Sequence, residues 1–174
     1  RLNPTKGISA AERLETISFD ELEGMLIENS DEPYAFEIAK AIVENRRRKK
    51  IETTTQLSQI IENTLQFLPV KDRKDAIKKC CARTFQALRI DVNSEFEVLY
   101  DFLKKLPDAL APNGRVAILT FHSGEDRFVK KSFKALKKAG VYSEIAENVI
   151  RPSREECNRN PRAKSTKMRW AVKC

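Results

Sequence analysis

The chain has a single histidine, His122, set in Phe121-His122-Ser123-Gly124-Glu125-Asp126-Arg127, where an apolar run hands over to a helical pattern. In open α/β sheets, ligands bind just beyond the C-terminal ends of the strands, which is where such a handover lies. Read functionally, Phe121 offers a face for a base to stack on, and a helix N-terminus with His122 and Ser123 offers polar groups to fix it. The plainer reading makes His122 an ordinary hydrogen-bonded histidine and Ser123 a helix cap. A second constellation is Arg83-Thr-Phe-Gln-Ala-Leu-Arg89-Ile-Asp-Val-Asn93-Ser-Glu95, in which Gln86, Arg89 and Asn93 recur at helical spacing and share one face. Arg89 and Asn93 can donate to a phosphate, a base edge or a carboxylate; a solvent-facing polar strip is the alternative. A serine beside a histidine in sequence makes no triad, and no set of nucleophile, base and acid is evident.

Two basic segments add a partner. Arg46 to Lys50 are five consecutive cations at the end of a helical pattern. Some of that charge complements the helix dipole, and Arg46, Arg47 and Arg48 are candidates for RNA contact. Asn160-Pro-Arg-Ala-Lys-Ser-Thr-Lys167 is a basic loop, and from Arg151 to Cys174 there are eight cations against two anions. Arg162 and Lys164 are its candidate backbone contacts; packing onto the acidic front of the chain is the alternative. Lys and Arg total 33 against 25 Asp and Glu, a net charge of +8. Residues 1 to 45 carry −6 and the rest +14, so a polyanion would bind the rear.

At 174 residues, with 41% hydrophobic and 33% charged side chains and only 5 Gly and 7 Pro, the chain is no collagen, low-complexity tract or disordered segment. No apolar run reaches the roughly 20 residues of a spanning helix, so no membrane role is expected. Cys80, Cys81, Cys157 and Cys174 lack metal-ligand spacing, no metal site is expected, and free thiols suit a reducing cytoplasm.

The elements that must position these residues follow from periodicity. Ser9-Ala-Ala-Glu12 and Ser18-Phe-Asp-Glu21 are capping-box patterns opening two short helices. A third helix is expected over Asp31 to Lys49, with Pro33 in its first turn, and a fourth after the Thr53 cap, closing at Pro69. Helical spacing from Lys71 to Leu106 exceeds an average helix and predicts a bend or two helices. Arg115 to Phe121 is a short β-branched run of the kind buried in a parallel sheet, followed by a helix capped at Ser123 and stopped by Gly140. Strands over Ser143 to Arg151 and Lys167 to Lys173 bracket a polar loop. A parallel strand needs neighbours on both sides, and only one such strand is present. The chain also opens on Arg1, not Met, followed at once by the turn Asn3-Pro4-Thr5-Lys6-Gly7. The central strands are therefore expected upstream, in a longer protein.

Four blocks carry a resemblance: Arg1-Leu-Asn-Pro-Thr-Lys-Gly-Ile-Ser-Ala-Ala-Glu12, Arg83 to Glu95, Gly114-Arg-Val-Ala-Ile-Leu-Thr-Phe-His-Ser-Gly-Glu-Asp-Arg-Phe-Val-Lys130, and Asn160-Pro-Arg-Ala-Lys-Ser-Thr-Lys-Met-Arg169. In this order they resemble the MraW/RsmH family, S-adenosylmethionine-dependent methyltransferases acting on the exocyclic amine (N4) of a cytosine in the decoding region of 16S rRNA. The resemblance implies an α/β fold: an inserted helical substrate-recognition domain over residues 1–80, and the C-terminal part of a Rossmann-like methyltransferase sheet over residues 81–174. The cofactor-binding residues implied by the family precede the first block, so none is expected here and the chain alone is expected to be inactive. Asn93, His122 and Ser123 are the expected catalytic positions, with Arg89 and Phe121 at the substrate. Gly124 stands where the family usually has Leu, and Asn3 where it has Asp. The small ribosomal subunit is the implied partner, in the cytoplasm, and a homodimer covering an exposed sheet edge is a further expectation. The alternative function is a non-catalytic RNA-binding or ribosome-assembly module of the same ancestry.

Overall fold

The computed structural model describes Thr5 and residues 7–174. The substitution at Asn3 and most of the turn read at Asn3 to Gly7 lie outside the described residues. The chain divides into two units, one ending at Glu95 and one running Phe96–Cys174; the domain boundary expected near residue 80 falls inside a helix of the first.

The first unit is helical. Helices α1 (Ala10–Thr16) and α2 (Phe19–Ser30) each begin with the expected capping box: the Ser9 and Ser18 hydroxyls accept from the backbone N–H of Glu12 and Glu21, whose carboxylates accept in return. Helix α3 (Ala35–Arg46) starts later than predicted and lacks a side-chain cap, because Asp31 turns the chain left-handed at φ 51. Helix α4 (Thr54–Thr64) carries the Thr53–Gln56 box and passes through a short 3-10 turn to α5 (Val70–Val92). Ile17, Leu22, Leu26, Ile38, Ile42 and Ile61 are fully buried between these helices. Cys80 lies in the same core; burial, with the neighbouring Glu32, pushes its thiol pKa up to about 12. A thiol so placed packs as a small apolar group and is inert.

The long helical pattern does break in two. Ser94, at φ 48, separates α5 from α6 (Glu95–Ala109), which contains Pro107 and ends three residues beyond the predicted Leu106. In the second unit, β1 (Arg115–Thr120) leads into α7 (Ser123–Lys138), then β2 (Tyr142–Ile145), α8 (Arg154–Arg159) and β3 (Lys167–Lys173). The sheet order is β1-β3-β2, with both pairings antiparallel. Val116, Ile118 and Ala171 pack on Val129 and Phe133 of α7 and on Leu103 and Leu106 of α6. By register, Ala117 opposite Trp170 and Leu119 opposite Met168 form the other face.

Two predictions are corrected here, and the buried character expected of β1 is met only in part. Among the described residues β1 pairs with β3, antiparallel, and alternates in burial with Leu119 57% exposed; the parallel neighbours are expected upstream, outside this chain. Period-two alternation was hidden because both faces carry apolar residues. The polar segment after β2 is not simply a loop but holds α8, capped by Ser153, and a 3-10 turn over Pro161–Ser165. Its Ser153-Arg-Glu-Glu156 is the same capping pattern used at Ser9 and Ser18. Ser123 is not the cap of α7; His122 takes that position.

Candidate functional site

Helix α7 is capped by His122, which holds extended backbone at φ −140 and accepts from the Glu125 N–H through Nδ1 at 3.4 Å. An imidazole Nδ1 stands at the same remove from the backbone as the Oδ1 of Asn, so it reaches the N3 amide as a standard cap does. Glu125 completes the exchange: its Oε2 accepts from the Phe121 N–H at 2.8 Å. The result is a capping box in which His replaces Ser and the returned bond lands one residue earlier. Ser123 is consequently the first residue inside the helix. With Nδ1 accepting, Nε2 is the ring's donor; it lies 3.3 Å from Glu125 Oε1, out of line for a hydrogen bond, and has no hydrogen-bond partner among the described residues.

The turn is filled from one side. Phe96 sits with its ring centroid 5.8 Å from His122 and 4.9 Å from Phe128. A Cβ placed on Gly124 would come within 2.6 Å of the Phe96 ring, so glycine here is a condition of the packing rather than of backbone angle. Behind the turn, Arg169 of β3 grips Asp126 with two bonds of 2.7 and 3.1 Å, both residues being buried, and Lys167 stands 3.9 Å away. Burial opposes ionisation of Asp126, yet the Arg169 bonds and charge prevail and hold its pKa below the usual carboxylate value. The Glu125 carboxyl is lowered likewise, with burial outweighed by the adjoining His122 and by the bond accepted from the Phe121 N–H.

Of the predicted residues in this unit, Phe121, His122 and Ser123 are adjacent on one turn. Phe121 is the accessible one: its ring is 55% exposed while its backbone is held by Glu125. Arg162 and Lys164 are exposed on the 3-10 turn that Pro161 opens, with Ala163 buried between them.

In the first unit, Arg89 and Asn93 are together and Gln86 is put to other use. Gln86 donates to the Asn29 carbonyl while Asn29 donates to that of Ala87, a reciprocal clasp of α5 on α2. Arg89 makes a two-point bond with Glu95, both distances being 2.9 Å. Asn93 caps the C-terminus of α5 and donates to the Arg89 carbonyl at 2.7 Å. The Arg89 side chain is half exposed, and a pair so placed contributes at most about 1 kcal/mol, little enough for an anionic ligand to exchange with Glu95.

The five-cation run divides by role. Arg46 turns inward and donates to the carbonyls of Leu14 and Ile17, both at 2.6 Å, closing the end of α1. Lys50 pairs with Glu15 at 2.8 Å. Arg47, Arg48 and Lys49 are exposed and have no ion-pair partner among the described residues. Sequence reading missed Glu125, Asp126, Arg169 and Phe96 as organisers of the turn. Glu125 was recoverable, standing three residues after an extended residue with an acceptor side chain; the other interactions join positions far apart in sequence.

The MraW methylase family model matches residues 1–174. The ribosomal RNA small subunit methyltransferase H 1 of Lachnoclostridium phytofermentans is 70% identical over 174 residues, which cover 99% of this chain and 48% of the relative. The protein of the same name from Agathobacter rectalis is 67% identical, over 99% of this chain and 50% of the relative. Ribosomal RNA small subunit methyltransferase H of Borreliella burgdorferi is 43% identical over 95% and 54% respectively. The chain thus spans about half the length of the curated relatives it matches.

Proposed function

We infer the function from the premise that this chain belongs to the MraW methylase family. It is the part of a small-subunit rRNA methyltransferase that grips RNA and frames the target base, a cytosine of the 16S decoding region methylated on its exocyclic amine. Residues 1–80 serve as the helical substrate-recognition domain, and β1 to β3 as the C-terminal part of a Rossmann-like sheet. The carrying observation is Phe121: a half-exposed aromatic ring at the C-terminal end of a strand, on backbone clamped by Glu125. Aromatic stacking platforms for extruded bases have this character.

A cytosine amine is conjugated with its ring and is a weak nucleophile until its nitrogen pyramidalises, so the protein's task is alignment and acceptance of the developing positive charge. Phe121 stacks the base. His122 presents Nε2 beside Glu125, and Ser123 contributes its hydroxyl at the helix start. Arg89 and Asn93 hold phosphate or base edge, with Arg47, Arg48, Arg162 and Lys164 on the RNA backbone. Arg46, tied to two carbonyls, orders the helix that carries its neighbours. The small ribosomal subunit is the partner and the cytoplasm the location; no described helix is long and apolar enough to cross a membrane.

S-adenosylmethionine is the methyl donor the family implies, and the residues described do not fit it. The strand-to-helix turn has its Phe121 and Glu125 amides consumed by Glu125 and His122, and Phe96 fills the space over Gly124. Calorimetric titration of this polypeptide with S-adenosylmethionine is expected to give no measurable binding; clear binding would overturn that statement. The non-catalytic alternative shares this outcome, and methyl transfer separates the two. In single-turnover transfer to 16S rRNA by the full-length protein, Phe121→Ala should lower the rate about ten-fold or more. Asn93→Ala and His122→Asn, the latter retaining a cap, should also lower it. Rates unchanged in all three would remove this assignment.

A further inference from the structure

A groove of about 240 Å³ lies between the end of α3 and the outer face of α4 in the first unit. Its lining is unusual in composition. Arg48, Lys49 and Lys50 supply cations, and among the described residues no acidic one lines it, although Glu44, Glu52 and Glu62 stand near in sequence. Its polar wall is built of amides: Gln56, Gln59 and Asn63 recur on one stripe of α4. Half-buried Ile60 and buried Ile51 form an apolar floor.

The hydrogen bonds of these amides decide what they can do. Gln56 spends its Oε1 on the N–H groups of Glu52 and Thr53, at 2.8 and 3.0 Å, which fixes its side chain with no partner among the described residues for its NH₂. Gln59 donates to Asn63 Oδ1 at 3.1 Å. That bond orients the two exposed amides and leaves the Gln59 Oε1 acceptor and the Asn63 Nδ2 donor unengaged among the described residues. A paired donor and acceptor on oriented amides is the arrangement that reads the edge of a base, while cations without partners take the adjoining phosphates. The volume is below the roughly 300 Å³ that encloses a drug-sized molecule, which suits one base on a continuing strand.

We propose that this groove is a recognition subsite for an unpaired nucleotide of single-stranded RNA, with Gln56, Gln59 and Asn63 reading the base edge and Arg48 and Lys49 holding the flanking phosphates. The proposal rests on the RNA-binding reading above and deepens it. Duplex RNA is a poorer occupant, because its base edges lie paired in grooves that side chains reach with difficulty.

Fluorescence anisotropy of the full chain with a labelled unstructured single-stranded RNA, and with a hairpin duplex of the same composition, tests it. Q59A/N63A should weaken single-strand binding about ten-fold with the salt slope kept. R48A/K49A should flatten the logarithmic salt slope by about 0.7 for each phosphate no longer neutralised. All four positions are exposed, and helical circular dichroism verifies that the fold is retained. If the unaltered chain binds RNA and neither variant differs, the subsite is refuted while the RNA reading stands. Should only R48A/K49A act, or should hairpin and single strand bind alike, the base-reading role fails. Absence of any RNA binding by the unaltered chain overturns both readings.

Discussion

Ile38 in the first unit and Leu119 in the second are both aliphatic residues within regular elements, yet Ile38 is fully buried and Leu119 is 57% exposed. The contrast extends through each unit. Helices α1 to α5 bury their apolar faces against one another in a single core. The three-stranded sheet covers one face with α6 and α7 and turns Ala117 and Leu119 outward on the other. The helical unit thus takes its order from a closed core. The α/β unit adds discrete polar fixings to a smaller core, above all Asp126–Arg169 and the His122–Glu125 cap. The polar pairs follow the same division: Arg13–Asp91 is about a quarter exposed, whereas Asp126–Arg169 is buried.

The largest test of this contrast is removal of one partner from each pair. Asp126→Ala leaves a buried guanidinium uncompensated and should cost about 3–5 kcal/mol, while Asp91→Ala should cost about 1 kcal/mol or less. Urea titrations followed by the fluorescence of Trp170, the only tryptophan and a reporter of the second unit, measure the first; circular dichroism measures the second. Equal costs would erase the distinction. Next in size, Ile38→Ala should lose roughly 2–5 kcal/mol, against a change within about 0.5 kcal/mol for Leu119→Ala.

Acid should separate the units by a smaller margin. Glu125 and Asp126 both have native pKa values lowered from the ordinary 4.5 and 3.8, so their stabilisation is complete above those values and is lost as pH falls through and below them. Glu21 of the first unit is lowered too, but it is exposed and solvent screens it. Trp170 emission should therefore report loosening at a higher pH than helical dichroism does; simultaneous transitions would contradict this. Smallest of all are the caps. Ser18→Ala should cost about 1 kcal/mol, whereas Ser153→Ala, on a six-residue helix with no buried residue, should leave the global midpoint unmoved.

What could be read from sequence was what depends on near neighbours. The boxes at Ser9, Ser18 and Thr53 join residues three apart, and the break between α5 and α6 follows from a helical pattern too long for one element. The turn at Phe121 was located correctly for the same reason. Its organisation was not legible, because Arg169 reaches Asp126 across 43 positions and Phe96 approaches Gly124 from another helix. Likewise Arg46 and Arg48 are indistinguishable in sequence. Only the carbonyls of Leu14 and Ile17 mark Arg46 as structural, whereas Arg48 is exposed with no ion-pair partner among the described residues. Pattern gave the faces of β1 poorly, since Leu119 outside and Ile118 inside are chemically alike.

The ring of Phe96 above Gly124 ties two distant positions into one choice. A methyl group at 124 would push the ring from its place against His122 and Phe128. A bulkier residue at 124 is accommodated only if the Phe96 ring moves, so an engineer wishing to alter the cap must treat positions 96 and 124 together.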